Sequence, residues 1–241
     1  MSRPLRGWLT ATLVAAHRLT ATARGLTFSV PDWPGSDAGQ HLDLRLTAPD
    51  GYQAVRSYSI ASVGPGSEVE LAVERLPDGE VSPFLVDELE LGDGVELRGP
   101  LGGWFVWRPG DTRPVQLIAG GSGVVPFVAM MRSHARAGST APMRLLYSLR
   151  TPEAAYFRDE LSQPGPHVTT TYHYTRAAPP GWSRAAGRLT AEDLERATLP
   201  PSDGPLTYIC GPTGFVEAIT AALTTLGHSP DTIRTERFGG T

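Results

Sequence analysis

The sequence contains no lysine: all 21 of its basic residues are arginine. A phosphate held by a positive side chain here meets a planar, bidentate guanidinium, never a point-like ammonium. Cysteine is almost as scarce, with Cys210 standing alone among 241 residues. One thiol makes no internal disulfide and supplies only one of the four thiolates of a plant-type iron–sulfur cluster, so these residues hold no cluster domain. There is no basic excess either, since the formal net charge is −4, which gives no general case for nucleic-acid binding. Long apolar runs are missing as well. Arg3 and Arg6 precede residues 9–16, but threonines interrupt that stretch and His17 and Arg18 stop it, which makes a poor signal-peptide core. No stretch approaches the roughly 20 apolar residues of a membrane span. The expectation is a soluble, cytoplasmic protein without nucleic-acid or membrane partners, a monomer by default.

What is present is ordinary globular material, 40% hydrophobic and 19% charged, long enough for one large domain or two of common size. The chain changes rhythm near its middle. Residues 10–20 and 23–30 are rich in Thr, Val and Leu and break at Pro31, Pro34 and Gly35, as strands do. In His41–Thr47 the residues Leu42, Leu44 and Leu46 alternate with Asp43, Arg45 and Thr47, and the turn Pro49-Asp50-Gly51 follows. Val69, Leu71 and Val73 alternate in the same way, while residues 82–89 carry a more helical spacing. Short strands with Gly/Pro turns point to an antiparallel β-barrel over residues 1–110.

From residue 111 onward strands and helices alternate, which predicts a doubly wound α/β domain with a parallel sheet over residues 111–241. Residues 115–119 form a short apolar run of the kind buried on both faces, ending in a glycine turn and a helix over 126–137. Strands at 143–147, 167–174 and 206–210 and helices at 152–161 and 215–226 continue the pattern. In the last helix Phe215, Ile219, Ala222 and Leu226 share a face, with Gly227 as the stop. Residues 108–114 read as the linker.

Several motifs carry chemistry. In Gly120-Gly121-Ser122-Gly123-Val124-Val125-Pro126, a glycine turn between a buried strand and a helix lets backbone approach a pyrophosphate, and Pro126 suits the first helical turn. A glycine turn alone, however, is more often only a tight turn. In Arg56-Ser57-Tyr58-Ser59, Arg56 suits a phosphate, Tyr58 a planar ring, and Ser59 a ring nitrogen. An ordinary strand explains the same four residues. Cys210-Gly211-Pro212 stands at the end of the last predicted strand, where open α/β sheets bind ligands. A buried cysteine before a turn would look alike. Glu236-Arg237-Phe238 lies near the C-terminus, where an aromatic can be a simple docking plug.

Taken in order, these motifs resemble the ferredoxin–NADP⁺ reductase superfamily over essentially the whole chain. Arg56-Ser57-Tyr58-Ser59 is similar to the family's flavin motif, and Gly79-Glu80-Val81-Ser82 to its second flavin-phosphate loop. Gly120–Pro126 resembles its nicotinamide-domain glycine loop, Cys210-Gly211-Pro212 its C-G-P motif, and Glu236-Arg237-Phe238 its acidic-x-aromatic ending. The resemblance implies an FAD- and NAD(P)H-dependent reductase, with FAD preferred over FMN and no metal. Arg56 and Ser82, with Gly79 and Val81 of the same loop, would hold the flavin pyrophosphate. Tyr58 would pack on one face of the flavin ring, Phe238 on the other, and Ser59 would lie near the reactive nitrogen. Gly121, Ser122, Gly123 and Pro126 would bind the coenzyme pyrophosphate. Cys210, Gly211 and Pro212 would line the nicotinamide pocket with Glu236, which would relay protons. Thr175-Arg176 resembles a pair that relatives place on the 2′-phosphate, with Arg184 and Arg188 as further candidates, which favours NADPH over NADH. The chain departs from the family in two places: its terminal aromatic is Phe with three residues after it, and the loop reads Gly-Gly-Ser-Gly.

The expected activity is hydride transfer from NADPH to FAD, then electron delivery to a separate carrier such as ferredoxin, flavodoxin or an oxygenase component. Arg56, Arg98 and Arg108 are the candidate docking cations for an acidic partner. Two other readings stand beside it: reduction of small acceptors (ferric chelates, quinones or free flavin), and a non-catalytic flavin-binding subunit. Intact Ser59, Cys210 and Glu236 speak against the last.

Overall fold

In a computed structural model of the chain, residues 7–239 are described. Arg3, Arg6, Gly240 and Thr241 lie outside them. The chain divides into two compact units. The first runs up to Arg108 and includes Val128–Ser133; the second comprises Pro109–Phe127 and the chain from His134 onward.

The first unit is a six-stranded antiparallel sheet in the order β4-β3-β6-β1-β2-β5. Its strands are β1 (Leu9–Arg18), β2 (Ala23–Ser29), β3 (His41–Thr47), β4 (Gln53–Ser59), β5 (Glu68–Glu74) and β6 (Gly94–Leu101). The alternation seen in sequence decides which face is buried. Leu42 and Leu44 of β3, Leu26 and Phe28 of β2, and Val69, Leu71 and Val73 of β5 are all completely buried in one apolar core. Burial of each such side chain contributes about 1.5–3 kcal/mol. Among the described residues, the edge strands β4 and β5 are joined where β4 ends, by the bridge between Ile60 and Leu71 and the bond from the Ala61 amide to the Glu70 carbonyl at 2.8 Å. The sheet is therefore barrel-like, with the rest of β4 left along an open seam. Residues 82–89 are helical as expected, with a π-helical turn over Phe84–Glu88 that puts Leu85 and Val86 into the core.

The second unit is a five-stranded parallel sheet in the order β11-β10-β7-β8-β9. Its strands are β7 (Val115–Gly120), β8 (Met143–Leu149), β9 (Val168–Tyr174), β10 (Leu206–Pro212) and β11 (Ile233–Phe238). Strand β7 is central and buried throughout. Its polar Gln116 survives there because its amide donates to the Arg144 carbonyl at 3.2 Å and accepts from the Leu199 amide at 2.9 Å. The helices are α1 (Val125–Arg136), α2 (Arg158–Ser162), α3 (Ala191–Ala197) and α4 (Thr213–Thr225). The strand order reverses between β7 and β10, and the crevice beyond the carboxyl ends of those two strands is where such sheets bind ligands.

Three expectations need correction. The helix over 152–161 is broken: residues 152–154 form a 3₁₀ turn, Ala155 is extended, and Phe157 adopts φ 51° before α2 begins. The buried face of α4 centres on Val216, Ile219 and Leu223, while Phe215, Ala222 and Leu226 pack at its margin. Gly227 does stop that helix, at φ 92°. Residues 233–238, where no strand was expected, form a parallel strand in register with β10 from Thr207–Ile233 to Pro212–Phe238. No helix among the described residues is long and apolar enough to cross a membrane.

Candidate functional site

Strand β4 aims its residues with a period of two. Tyr58, Arg56 and Ala54 pair across to Leu42, Leu44 and Leu46, so the three share one face of the open seam. Arg56 reaches from this face to Glu80, Nη2 to Oε2 at 2.8 Å, and Tyr52 donates its hydroxyl to the other carboxylate oxygen at 3.0 Å. The two flavin-type motifs of the sequence, with Arg56 and Glu80 lying 24 positions apart, thus meet in an ion pair that is half exposed on both sides. The loop behind Glu80 is fixed. The Ser82 hydroxyl accepts from the Leu76 amide at 3.0 Å, and the Gly79 amide donates to the Leu76 carbonyl at 2.9 Å. A Cβ at Gly79 would come within 3.0 Å of Ser82 Oγ. Val81 and Ser82 are buried, so they shape the loop, and Ser82 has its O–H left to donate.

Tyr58 packs against the core, and burial, opposed by the nearby Arg56 charge, pushes its phenol up to about 12. It stays a neutral ring at physiological pH. Ser59, half-buried at the end of β4, lies opposite His41. Beside the Arg56–Glu80–Tyr52 group is a cavity of about 590 Å³, lined by the apolar Leu46, Ala54, Phe84 and Val95 and by the polar Tyr52, Glu80, Arg45 and Glu96 among others. Tyr52 carried no signal in the sequence, where it reads as a turn residue after Gly51.

In the second unit the glycine turn and the C-G-P motif touch. A Cβ at Gly123 would lie 2.2 Å from the Cys210 carbonyl oxygen, and one at Gly211 would lie 3.2 Å from Gly120 Cα. Phe215 covers both strand ends, since Cβ atoms at Gly120 or Gly211 would each sit 2.8 Å from its ring. Only glycine allows this packing, and it leaves backbone bare at the switch point, a cradle of the kind that dinucleotide phosphates use. Gly121 (φ 57°) and Ser122 are partly exposed on the turn, and Pro126 is buried in the first turn of α1. Phe215 was read only as a helix-face residue; its place three positions after the Cys210-Gly211-Pro212 motif was the available signal.

Cys210 is buried, and Glu236 stands opposite it across β10 and β11. Burial and the Glu236 carboxylate push the thiol well above its ordinary value, so it stays a neutral S–H and not a thiolate nucleophile. Phe238 pairs with Pro212 and is 37% exposed. Ser59 belongs to the first unit, and Cys210, Glu236 and Phe238 to the second.

At the far end of β9, Thr175 donates its amide to the Leu149 carbonyl at 2.7 Å, and Arg176 and Ala177 donate theirs to the Arg150 carbonyl at 3.0 and 3.1 Å. Arg150 and Arg176 are therefore neighbouring exposed arginines at the ends of β8 and β9. Arg150 was missed in sequence. Arg184 is engaged elsewhere, with Nη1 2.9 Å from Asp193, and does not join them as an uncommitted cation; Arg188 is exposed. The three docking candidates are neutralised as well: Arg56 by Glu80, Arg98 by Asp43 at 2.6 Å, and Arg108 by Asp37 at 3.3 Å.

Comparison with known proteins gives the same division. The model for an oxidoreductase FAD-binding domain matches residues 10–106, and that for an oxidoreductase NAD-binding domain matches residues 117–221. The chain is 31% identical to NADH-cytochrome b5 reductase 1 of Aspergillus terreus, over 84% of this chain and 72% of that protein. It is 28% identical to the ferredoxin–NAD(P)(+) reductase component of the naphthalene 1,2-dioxygenase/salicylate 5-hydroxylase systems of a Ralstonia species, over 98% of this chain and 70% of that one. It also resembles the crystal structure of the flavohem-like FAD/NAD-binding domain of nitric oxide dioxygenase from Vibrio cholerae. That match has a TM-score of 0.85 at 25% identity, covering 96% of this chain and 99% of that one. The chain spans little more than half the length of several other curated relatives.

Proposed function

Because the chain belongs to the ferredoxin–NADP⁺ reductase family of FAD- and NAD-binding oxidoreductases, we propose that it takes hydride from NADPH onto FAD and delivers the electrons to a separate protein acceptor. Bound FAD accepts two electrons as hydride and releases them singly; the residues of this chain bind, orient and shield. The observation that carries the reading is the meeting of Gly123, Cys210 and Glu236 at the switch point, a glycine cradle beside a neutral thiol and a carboxylate. In this reading Gly121, Ser122, Gly123 and Pro126 hold the coenzyme pyrophosphate. Cys210, Gly211 and Pro212 bound the nicotinamide, and Glu236 moves protons to and from solvent. Tyr58 supports one face of the flavin ring and Ser59 lies near its reactive nitrogen. Phe238 shields the opposite face and must leave it for nicotinamide to approach, which makes it a gate. Arg56 holds the flavin pyrophosphate, aided by the loop of Gly79, Val81 and Ser82.

The preference for NADPH rests on Thr175 and Arg176, now with Arg150 beside them and no carboxylate at either position of the pair. Steady-state kcat/KM for NADPH and NADH, on wild type and Arg176→Ala, tests it. A mutant that kept its NADPH preference would remove the assignment. The acceptor is proposed to be a ferredoxin, flavodoxin or oxygenase component in the cytoplasm. A second reading, reduction of ferric chelates, quinones or free flavin, is favoured by the neutralised arginines: with Arg56, Arg98 and Arg108 all paired, an acidic partner finds no uncommitted charge among them. Turnover with a ferredoxin against turnover with ferricyanide, each as a function of salt, separates the two.

A further inference from the structure

Exposed apolar side chains scattered singly over a surface are ordinary. Trp104 differs from them in how it is held, where it stands and what surrounds it. It is 65% exposed, between the exposed Gly102-Gly103 pair and the buried Phe105, Val106 and Trp107. The loop that carries it is clamped on both sides. Gln40, itself buried, donates its amide to the Gly102 carbonyl at 2.9 Å and accepts from the Asp37 amide at 2.8 Å. The Trp107 amide donates to the Ala38 carbonyl at 3.1 Å. A Cβ at Gly39 would collide with the Phe105 carbonyl oxygen, so residues 37–40 and 102–107 lie backbone against backbone. An aromatic on a loop held in this way loses little freedom when a partner covers it.

Its place follows from the sheet. Leu101, the last residue of β6, pairs with His41, and His41 pairs on its other side with Ser59 at the end of β4. Trp104 comes three residues after Leu101, so it stands at the end of the sheet that carries Ser59. The charges there cancel: Arg98 is bound to Asp43 at 2.6 Å and Arg108 to Asp37 at 3.3 Å. Resting on the reductase reading above, we infer that the loop of residues 102–104 is the docking surface for the protein electron acceptor. The partner it fits presents an apolar, uncharged rim around its redox centre. Trp104 is the anchor, since tryptophan is enriched among the few residues that carry most of an interface's binding energy. An acidic partner gains little here, because each arginine must first give up its carboxylate. Docked on this loop, the acceptor lies beside Ser59, where the reading above puts the reactive part of the flavin ring. Trp104 supplies buried area and takes no part in the chemistry.

The test compares acceptors on the full-length, flavin-loaded protein turning over with NADPH or NADH, at about 0.5 M salt, where surface charges are screened. The probes are a plant-type ferredoxin, which is acidic, cytochrome c, which is basic, and ferricyanide, which is too small to need the loop. Trp104→Ala is expected to lower kcat/KM for both proteins about tenfold, a difference of about 1.4 kcal/mol. Ferricyanide turnover and the stopped-flow rate of flavin reduction are expected to stay unchanged. Trp104→Phe, which keeps an aromatic ring, is expected to recover most of the loss. The inference is overturned if either protein keeps its wild-type kcat/KM in Trp104→Ala. It is overturned as well if ferricyanide turnover falls in parallel, since the side chain then supports the flavin site, or if wild type reduces ferricyanide but neither protein. A wild type whose flavin stays oxidised with both coenzymes would instead overturn the reductase reading, and this docking surface with it, before any protein acceptor is added.

Discussion

The two units make binding surface by opposite means. In the first, side chains do the work: Tyr58, Arg56 and Ala54 project from one strand along an open seam, and the Arg56–Glu80 pair is half exposed. In the second, the absence of side chains does it. Gly120, Gly123 and Gly211 let two strand ends and a turn close to distances that no Cβ would permit. A surface built from mobile side chains tolerates substitution by degrees; one built from backbone contact fails at once.

The largest effect is therefore expected at Gly123. Its Cβ would lie 2.2 Å from the Cys210 carbonyl, which is backbone and cannot swing aside. Gly123→Ala should cost about 1–3 kcal/mol or more in stability and abolish flavin reduction by either coenzyme while FAD binding persists. Thermal melts and an anaerobic coenzyme titration check this, and a variant that still reduces its flavin normally would dissolve the contrast. Arg56→Ala comes next. Loss of one charge-assisted contact to phosphate should weaken FAD by about 10- to 100-fold, measured by fluorescence titration, with the fold and melting transition kept.

Phe238→Ala is expected to change the stopped-flow rate of hydride transfer and the ratio of NADPH to NADH use. If both stay as in wild type, Phe238 is not a gate. Arg176→Ala should lower kcat/KM for NADPH about tenfold and leave NADH alone. The smallest effect concerns Cys210. Because burial and Glu236 raise its pKa, alkylation by iodoacetamide at mildly alkaline pH should be far slower than for an exposed cysteine. Rapid modification would mean that the strand ends open.

The contrast also explains what was legible in the sequence. Alternation exposed β3 and β5 because each buries one face of a sheet, and the apolar run of β7 announced a strand covered on both sides. Strand β11 stayed hidden because Ile233 is its only buried residue: an edge strand of Arg, Thr and Glu has no period to detect. The break at Phe157 was invisible, since a left-handed aromatic carries no composition signal. At the site, motif order located the glycine turn and Cys210. It could not show that Glu80 already holds Arg56, that Phe215 roofs two glycines, or that Arg184 is committed to Asp193, because each contact joins residues distant in the chain or in a loop without pattern.

The most direct test of the central claim is an anaerobic titration of the purified, FAD-reconstituted protein with NADPH, with the extracted flavin identified beforehand. The account predicts that the protein holds FAD and that NADPH bleaches its visible absorbance in near-stoichiometric amounts. A colourless protein that takes up no FAD, or a flavin whose absorbance NADPH and NADH both leave unchanged, would contradict it.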